Sequence, residues 1–173
     1  MNVALYGFMG VGKSTLGEAL SERLGYGFVD MDEVIERRAG MKIKEIFATE
    51  GEEGFRALEK VVAKELADKD RYVIACGGGA VLYPENVEAL RRNSVLILLT
   101  ASIDEIVERT RGSDERPLLN VEDARAEAEA LLRKRMPRYL EAADLIIDTT
   151  DAPPTQLADE IIAALEGHLE GKD

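Results

Sequence analysis

The stretch Gly7-Phe8-Met9-Gly10-Val11-Gly12-Lys13-Ser14 decides the fold. It satisfies G-x-x-x-x-G-K-[ST], follows the apolar run Val3-Ala4-Leu5-Tyr6, and opens a helix-forming segment from Lys13 to Leu24. Glycines let a backbone wrap closely around an anion, so that consecutive N–H groups and a helix N-terminus face phosphate oxygens. In that setting Lys13 reaches the β- and γ-phosphates and the Ser14 hydroxyl can ligate Mg²⁺. The competing explanation is a plain strand–turn–helix with a glycine-rich turn. Chance supplies the full pattern in fewer than about 1% of chains of this length.

Outward from the loop, short apolar runs alternate with longer amphipathic segments. Strands are expected near 2–6, 27–30, 72–76, 95–99 and 145–148. Helices are expected near 13–24, 32–39, 43–49, 52–69, 84–92, 102–110, 123–142 and 154–167. Runs that are continuously apolar, joined by helices, indicate an α/β fold with a parallel sheet covered on both faces. Ligands then bind beyond the carboxyl ends of the strands. The polar stretch Arg111 to Pro117, followed by Asn120-Val-Glu-Asp123, reads as a surface loop between two helices. Residues Glu166 to Asp173 are expected to fray, leaving His168 solvated.

The 173 residues fit one domain, with 46% hydrophobic and 32% charged residues. Twenty-two Lys and Arg stand against 34 Asp and Glu, a formal charge of −12. Such a balance argues against partners that are polyanions or anionic membranes, but a small anionic ligand needs only a local concentration of cations. The single cysteine, Cys76, cannot form an internal disulfide, and the chain shows no basic leader and no membrane-length apolar run. A soluble, cytoplasmic protein is the expectation.

Phosphate binding alone names no reaction. No guanine-reading Asn-Lys-x-Asp is present, and the third strand ends in Gly77-Gly78-Gly79 where many P-loop proteins carry an Asp. Carboxylates appear instead at Asp30-Met31-Asp32, directly after Phe28-Val29. Residues i and i+2 leaving a strand point the same way, so one carboxylate can serve a metal through water while the other accepts a substrate hydroxyl. Either could equally cap the helix that follows. The triple glycine offers N–H groups for close approach to a ligand, or marks only a tight turn. Cys76 reads as a small buried hydrophobe, since no His lies near it in sequence.

Arginines separate by geometry. On the helix 123–142, Ala124, Ala128, Leu131, Leu132, Met136, Tyr139, Ala142 and Ala143 trace an apolar face, and Arg135 falls within it. An inward cation needs an anion, either a ligand or a structural carboxylate. Pro137 perturbs the phase of this helix. Arg56 borders the apolar face of Phe55, Leu58, Val62 and Leu66, with Glu59 at i+3 able to orient it. Arg116, before Pro117, could fold over a nucleotide as a transition-state cation supplied in cis.

With these residues in hand, the chain resembles the shikimate kinases along nearly its whole length. The resemblance is carried by Gly7 to Thr15, Phe28 to Asp32, Ile46 to Glu59, Gly77 to Val81, Arg116 to Leu119 and Arg135 to Tyr139. It implies a three-layer P-loop fold of the nucleoside monophosphate kinase type, with a five-stranded parallel sheet in the order 2-3-1-4-5. One domain is implied, with a core of 1–30, 61–110 and 124–168, a substrate-binding subdomain near 31–60, and a lid near 111–123. Its activity would be transfer of the γ-phosphoryl of ATP to the 3-hydroxyl of shikimate, with Mg²⁺, in aromatic amino acid biosynthesis.

Position by position, the resemblance gives Lys13 and Arg116 the transferring phosphoryl, and gives Ser14 the Mg²⁺ with Asp30 behind it through water. Asp32 would hold the substrate hydroxyls and act as base. Arg56 and Arg135 would bind the shikimate carboxylate beside Gly77, Gly78 and Gly79. ATP would lie on Gly10, Val11, Gly12, Lys13, Ser14 and Thr15, with Arg109 and Pro154 flanking adenine. A monomer is expected. A kinase for another hydroxylated acid, such as gluconate, would keep Lys13 and Ser14 without needing Arg56 and Arg135 on one carboxylate. A nucleotide-binding regulatory module without chemistry is the alternative from another class, although Lys13, Ser14, Asp30, Asp32 and Arg116 are all present.

Overall fold

The computed structural model describes residues 1–111 and 123–171. In chain order these form β1 (Asn2–Gly7), α1 (Lys13–Leu24), β2 (Gly27–Asp30), α2 (Met31–Ala39), α3 (Ile43–Ala67) and β3 (Tyr72–Ala75). A short 3-10 turn, Ala80–Leu82, leads to α4 (Pro84–Arg91), β4 (Ser94–Thr100) and α5 (Ile103–Thr110). The chain continues with α6 (Ala124–Ala142), β5 (Leu145–Asp148) and α7 (Pro154–Glu170). The five strands are all parallel, in the order β2-β3-β1-β4-β5. The expected α/β architecture and strand order are both present.

The register explains why the apolar runs are continuous. Leu5 of β1 lies between Ala75 of β3 and Ile97 of β4, so the central strand is buried from Asn2 to Gly7. The one polar residue in that run is doubly satisfied: Asn2 donates to Lys69 O at 2.8 Å and accepts from Tyr72 N at 2.9 Å. Helices cover both faces, and Leu16, Leu20, Val62, Leu90, Ile106, Tyr139 and Ile161 reach into one core.

Two local details bear on the site. The expected gap between helices near residue 50 is a sharp break inside α3, where Gly51 takes φ 70° and ψ −178°. Its φ lies in the region only glycine enters freely. Pro137, in contrast, leaves α6 continuous from Ala124 to Ala142. The C-terminus corrects one expectation: α7 runs on to Glu170, and His168 is half-buried. Docking on the core holds it there, through buried Leu157, Ile161 and Leu165 and an ion pair between Arg23 of α1 and Asp159.

Candidate active site

The loop after β1 is built for backbone approach. Gly7, Gly10 and Gly12 take φ of 150°, 84° and 92°, a region that L side chains rarely adopt. Space is short as well, since a Cβ on Gly7 would lie 2.4 Å from Leu99 O and one on Gly10 would lie 2.9 Å from Thr110 Cγ2. Gly12 then caps α1 without a side chain, leaving the first N–H groups of that helix directed at the loop. Lys13 folds back over the loop and donates to Gly7 O at 2.9 Å and Phe8 O at 3.2 Å.

Ser14 and Asp30 resolve a question left open by the sequence. The Ser14 hydroxyl donates to Asp30 Oδ2 at 2.7 Å, while Asp30 Oδ1 accepts from the N–H groups of Asp32 (2.9 Å) and Glu33 (3.3 Å). Asp30 is therefore both the cap of α2 and the partner of the P-loop serine. A hydroxyl and a carboxylate are hard oxygen donors suited to Mg²⁺. Among the described residues no group of three or more His, Cys, Asp and Glu could hold a metal. A divalent ion beside Ser14, with Asp30 behind it through water, would take its remaining ligands from phosphate and water.

At the end of β3 the triple glycine shows what the missing side chains make room for. A Cβ on Gly77 would lie 2.7 Å from Asp32 Oδ1, one on Gly78 3.3 Å from Arg135 Nη1, and one on Gly79 2.5 Å from Arg56 Nη2. Side chains from α2, α3 and α6 thus converge on three consecutive backbone units.

Arg56 is largely buried, with 18% of its side chain exposed, and its Nη1 lies 2.9 Å from Oε1 of Glu59, which is 1% exposed. The guanidinium also packs 5.1 Å from the ring centroids of Phe55 and Tyr83. Burial holds the Glu59 carboxyl above its ordinary pKa, against the opposing pull of Arg56. Burial works against the charge on Arg56, yet Glu59 outweighs it and keeps the guanidinium firmly protonated. Arg135 lies 5.7 Å over the Phe8 ring, tying the acceptor side to the P-loop. Cys76 is fully buried, with its thiol pushed up to about 12 by burial, so it stays a neutral thiol.

Arg109 clasps two loops together. Its Nη1 donates to Gly10 O at 3.0 Å, its Nη2 to Thr149 O at 3.2 Å, and Glu105 holds its Nε at 2.8 Å. Thr149 is buried and in turn donates to Val11 O at 2.9 Å. Pro154 starts α7 just beyond that junction.

This geometry has close counterparts. The family model for shikimate kinase matches residues 9–166. The chain belongs to the shikimate kinase family. A shikimate kinase from Thermodesulfovibrio yellowstonii is 45% identical over 171 residues, covering 99% of this chain and 98% of that protein. A shikimate kinase from Acinetobacter baumannii, solved in complex with shikimate, superposes with a TM-score of 0.92 at 38% identity, over 96% of this chain and 93% of that one. A gluconokinase from Sinorhizobium meliloti 1021 shares the fold alone, with a TM-score of 0.57 at 18% identity over 99% of this chain and 97% of that one.

Within this family member, Lys13, Ser14, Asp30 and Asp32 gather at the ends of β1 and β2, and Arg56 and Arg135 meet at the glycines after β3. Arg116 and most of the expected lid, 112–122, lie outside the described residues. Two contributors were missed in the sequence. Thr149 anchors Arg109, and Tyr139, given there as part of an apolar face and of a family segment but with no role of its own, donates its hydroxyl to Gly78 O. The available signal was the hydroxyl itself, because a phenol placed on a core-facing stripe must find a partner.

Proposed function

We propose that this chain transfers the γ-phosphoryl group of ATP to the 3-hydroxyl of shikimate, giving shikimate 3-phosphate and ADP. The observation that carries the reading is the convergence of Asp32, Arg56 and Arg135 on Gly77 to Gly79, one strand away from a P-loop. Two guanidiniums beside bare backbone suit a planar carboxylate, and a carboxylate opposite them suits a ring hydroxyl.

The mechanism is mostly positioning and charge neutralisation. ATP phosphates lie on the N–H groups of Gly10 to Thr15, and Lys13 exchanges its hydrogen bonds to Gly7 O and Phe8 O for the β- and γ-phosphates. Arg56, Arg135 and the N–H groups of Gly78 and Gly79 hold the acceptor carboxylate. Asp32 accepts the 3-hydroxyl proton as the new O–P bond forms and the bond to the β–γ bridging oxygen breaks, with ADP as leaving group. Lys13 and Arg116 offset the charge on the transferring phosphoryl. Ser14 would bind Mg²⁺ directly and Asp30 through water, and the ion supplies neutralisation of the β- and γ-phosphate charge.

Arg109 and Pro154 flank the adenine in this reading. Residues 31–60 serve as the acceptor subdomain and 111–123 as the lid of one domain. A monomer suffices, because every assigned residue comes from one chain. A buried, unpaired Cys76 suits the reducing cytoplasm. Among the described residues no helix is long and apolar enough to cross a membrane.

The test is ADP release with shikimate, quinate, gluconate and nucleoside monophosphates as acceptors. Shikimate is expected to be turned over fastest. No turnover of shikimate at saturating ATP and Mg²⁺ overturns the reading.

A further inference from the structure

Tyr139 is 0% exposed, yet its hydroxyl is in use: it donates to Gly78 O. Burial raises its pKa while neighbouring Arg135 opposes the rise, so the phenol stays protonated and remains a donor. A Cβ on Gly78 would lie 3.3 Å from Arg135 Nη1 and 3.9 Å from the Tyr139 hydroxyl, so all three groups share one small volume.

A peptide unit is planar and trans, so fixing the Gly78 carbonyl also fixes the direction of the Gly79 N–H in the same unit. Glycines on both sides would otherwise leave that unit free to rotate. One hydroxyl therefore sets the direction of a backbone N–H of the acceptor cradle, and the Arg135 guanidinium interacts with that same hydroxyl.

Tyr139 is itself held from the P-loop strand. Four carbonyls at the end of α6 lack helical partners. Ala143 N turns to Leu140 O, Arg91 Nη2 takes Ala142 O at 2.7 Å, and the buried Tyr6 hydroxyl donates to Tyr139 O. The two tyrosine rings pack edge to face with centroids 5.8 Å apart. Tyr6 directly precedes Gly7 in β1, so the chain Tyr6–Tyr139–Gly78 links the start of the phosphate loop to the carboxylate cradle.

We infer that Tyr139, seated by Tyr6, is a positioning residue for recognition of the acceptor carboxylate, acting through the Gly78–Gly79 peptide and Arg135. This deepens the proposed function and rests on it. Neither tyrosine touches a reacting atom.

Tyr139→Phe keeps the ring and removes only the hydroxyl. It is expected to raise KM for shikimate about tenfold, with kcat and KM for ATP within about twofold. The deciding arm uses the shikimate analogue whose carboxylate is reduced to a hydroxymethyl group. Its kcat/KM is expected to be the same in Tyr139→Phe and wild type, because the lost interaction acted on a group the analogue lacks. Equal loss on both acceptors, or a lowered Tm with unchanged KM for shikimate, overturns the inference. Should Tyr139→Phe fail to fold, Tyr6→Phe carries the same comparison, with a selective KM rise of about threefold expected. An unselective or absent effect there overturns it equally. Failure of wild type to phosphorylate shikimate would sink the proposed function instead, so the two failures are distinguishable.

Discussion

The donor and acceptor halves of the site both depend on glycine, for different reasons. In the donor half, Gly7, Gly10 and Gly12 have positive φ, and the backbone conformation itself excludes side chains. In the acceptor half none of Gly77, Gly78 and Gly79 has a positive φ. Those positions are glycine because Asp32, Arg135 and Arg56 occupy the space a Cβ would need. The donor half is thus a shape made by consecutive residues, which any anion of the right size can use. The acceptor half is a meeting point of side chains from three helices, which reads one kind of molecule. Strength of phosphate binding and choice of acceptor are therefore separable by mutation.

The largest expected effect is in the donor half. Lys13→Ala should reduce kcat by about 10²–10³-fold, as expected when one preorganised charge is lost from a phosphoryl-transfer site, with the circular dichroism spectrum unchanged. A variant with near-normal kcat would mean that Lys13 only braces Gly7 O and Phe8 O, and the division of labour would fail. Next comes Arg135→Ala, expected to raise KM for shikimate about 10–100-fold by removing charge-assisted hydrogen bonds while KM for ATP barely moves. Equal loss for both substrates would assign Arg135 a structural role.

The same contrast governs what the sequence could disclose. The P-loop was legible because its parts are contiguous and its glycines are required by local geometry. The alternation of Val95 to Leu99 and similar runs with amphipathic helices was enough for a parallel sheet, because strands buried on both faces must be apolar throughout. Spacing placed Arg135 on the inner face of α6 and Glu59 beside Arg56, and both assignments hold at the side-chain level.

Spacing could not say that α2, α3 and α6 converge on one glycine triplet, because that convergence is set by strand order. Resemblance to a family supplied the link. Asp30 shows a further limit: cap and site partner were weighed as alternatives, yet a carboxylate has two oxygens and does both. The roles of Thr149 and Tyr139 escaped notice because they are hydrogen bonds to distant backbone: the Tyr139 hydroxyl signalled that a partner must exist, but nothing local names which one.

A pair of alanine substitutions tests the two meanings of glycine directly. Gly10→Ala meets a φ of 84° and a Thr110 methyl at 2.9 Å, so it should lower Tm and weaken ATP binding about tenfold or more, since strain of this kind costs about 1–3 kcal/mol. Gly79→Ala meets no backbone strain; its φ is −99°. Its Cβ would press on Arg56, which Glu59 pins, so the expected result is a KM for shikimate raised about tenfold with Tm and KM for ATP nearly unchanged. If Gly79→Ala instead impaired ATP, the two glycine sets would share one function and the comparison would break.

The smallest effect concerns the buried carboxylate behind Arg56. Burial raises the folded-state pKa of Glu59 above its unfolded value, so over the window between those values the folded protein retains a proton that the unfolded chain has released. The contribution of Glu59 to stability therefore falls as pH rises through that window and levels off above it. Glu59→Gln has no proton to lose, so its stability relative to wild type should improve with rising pH across the window and stay constant on either side. Urea denaturation at a series of pH values reads this difference. A difference that declined with rising pH would mean that Arg56 outweighs burial and that the pair stabilises the fold. In the assay, Glu59→Gln should raise KM for shikimate about threefold and leave KM for ATP alone, because Gln can still hydrogen-bond Arg56 but no longer neutralises it. Glu59 would then be a residue retained for where it holds a guanidinium, at some expense to the stability of the helix that carries it.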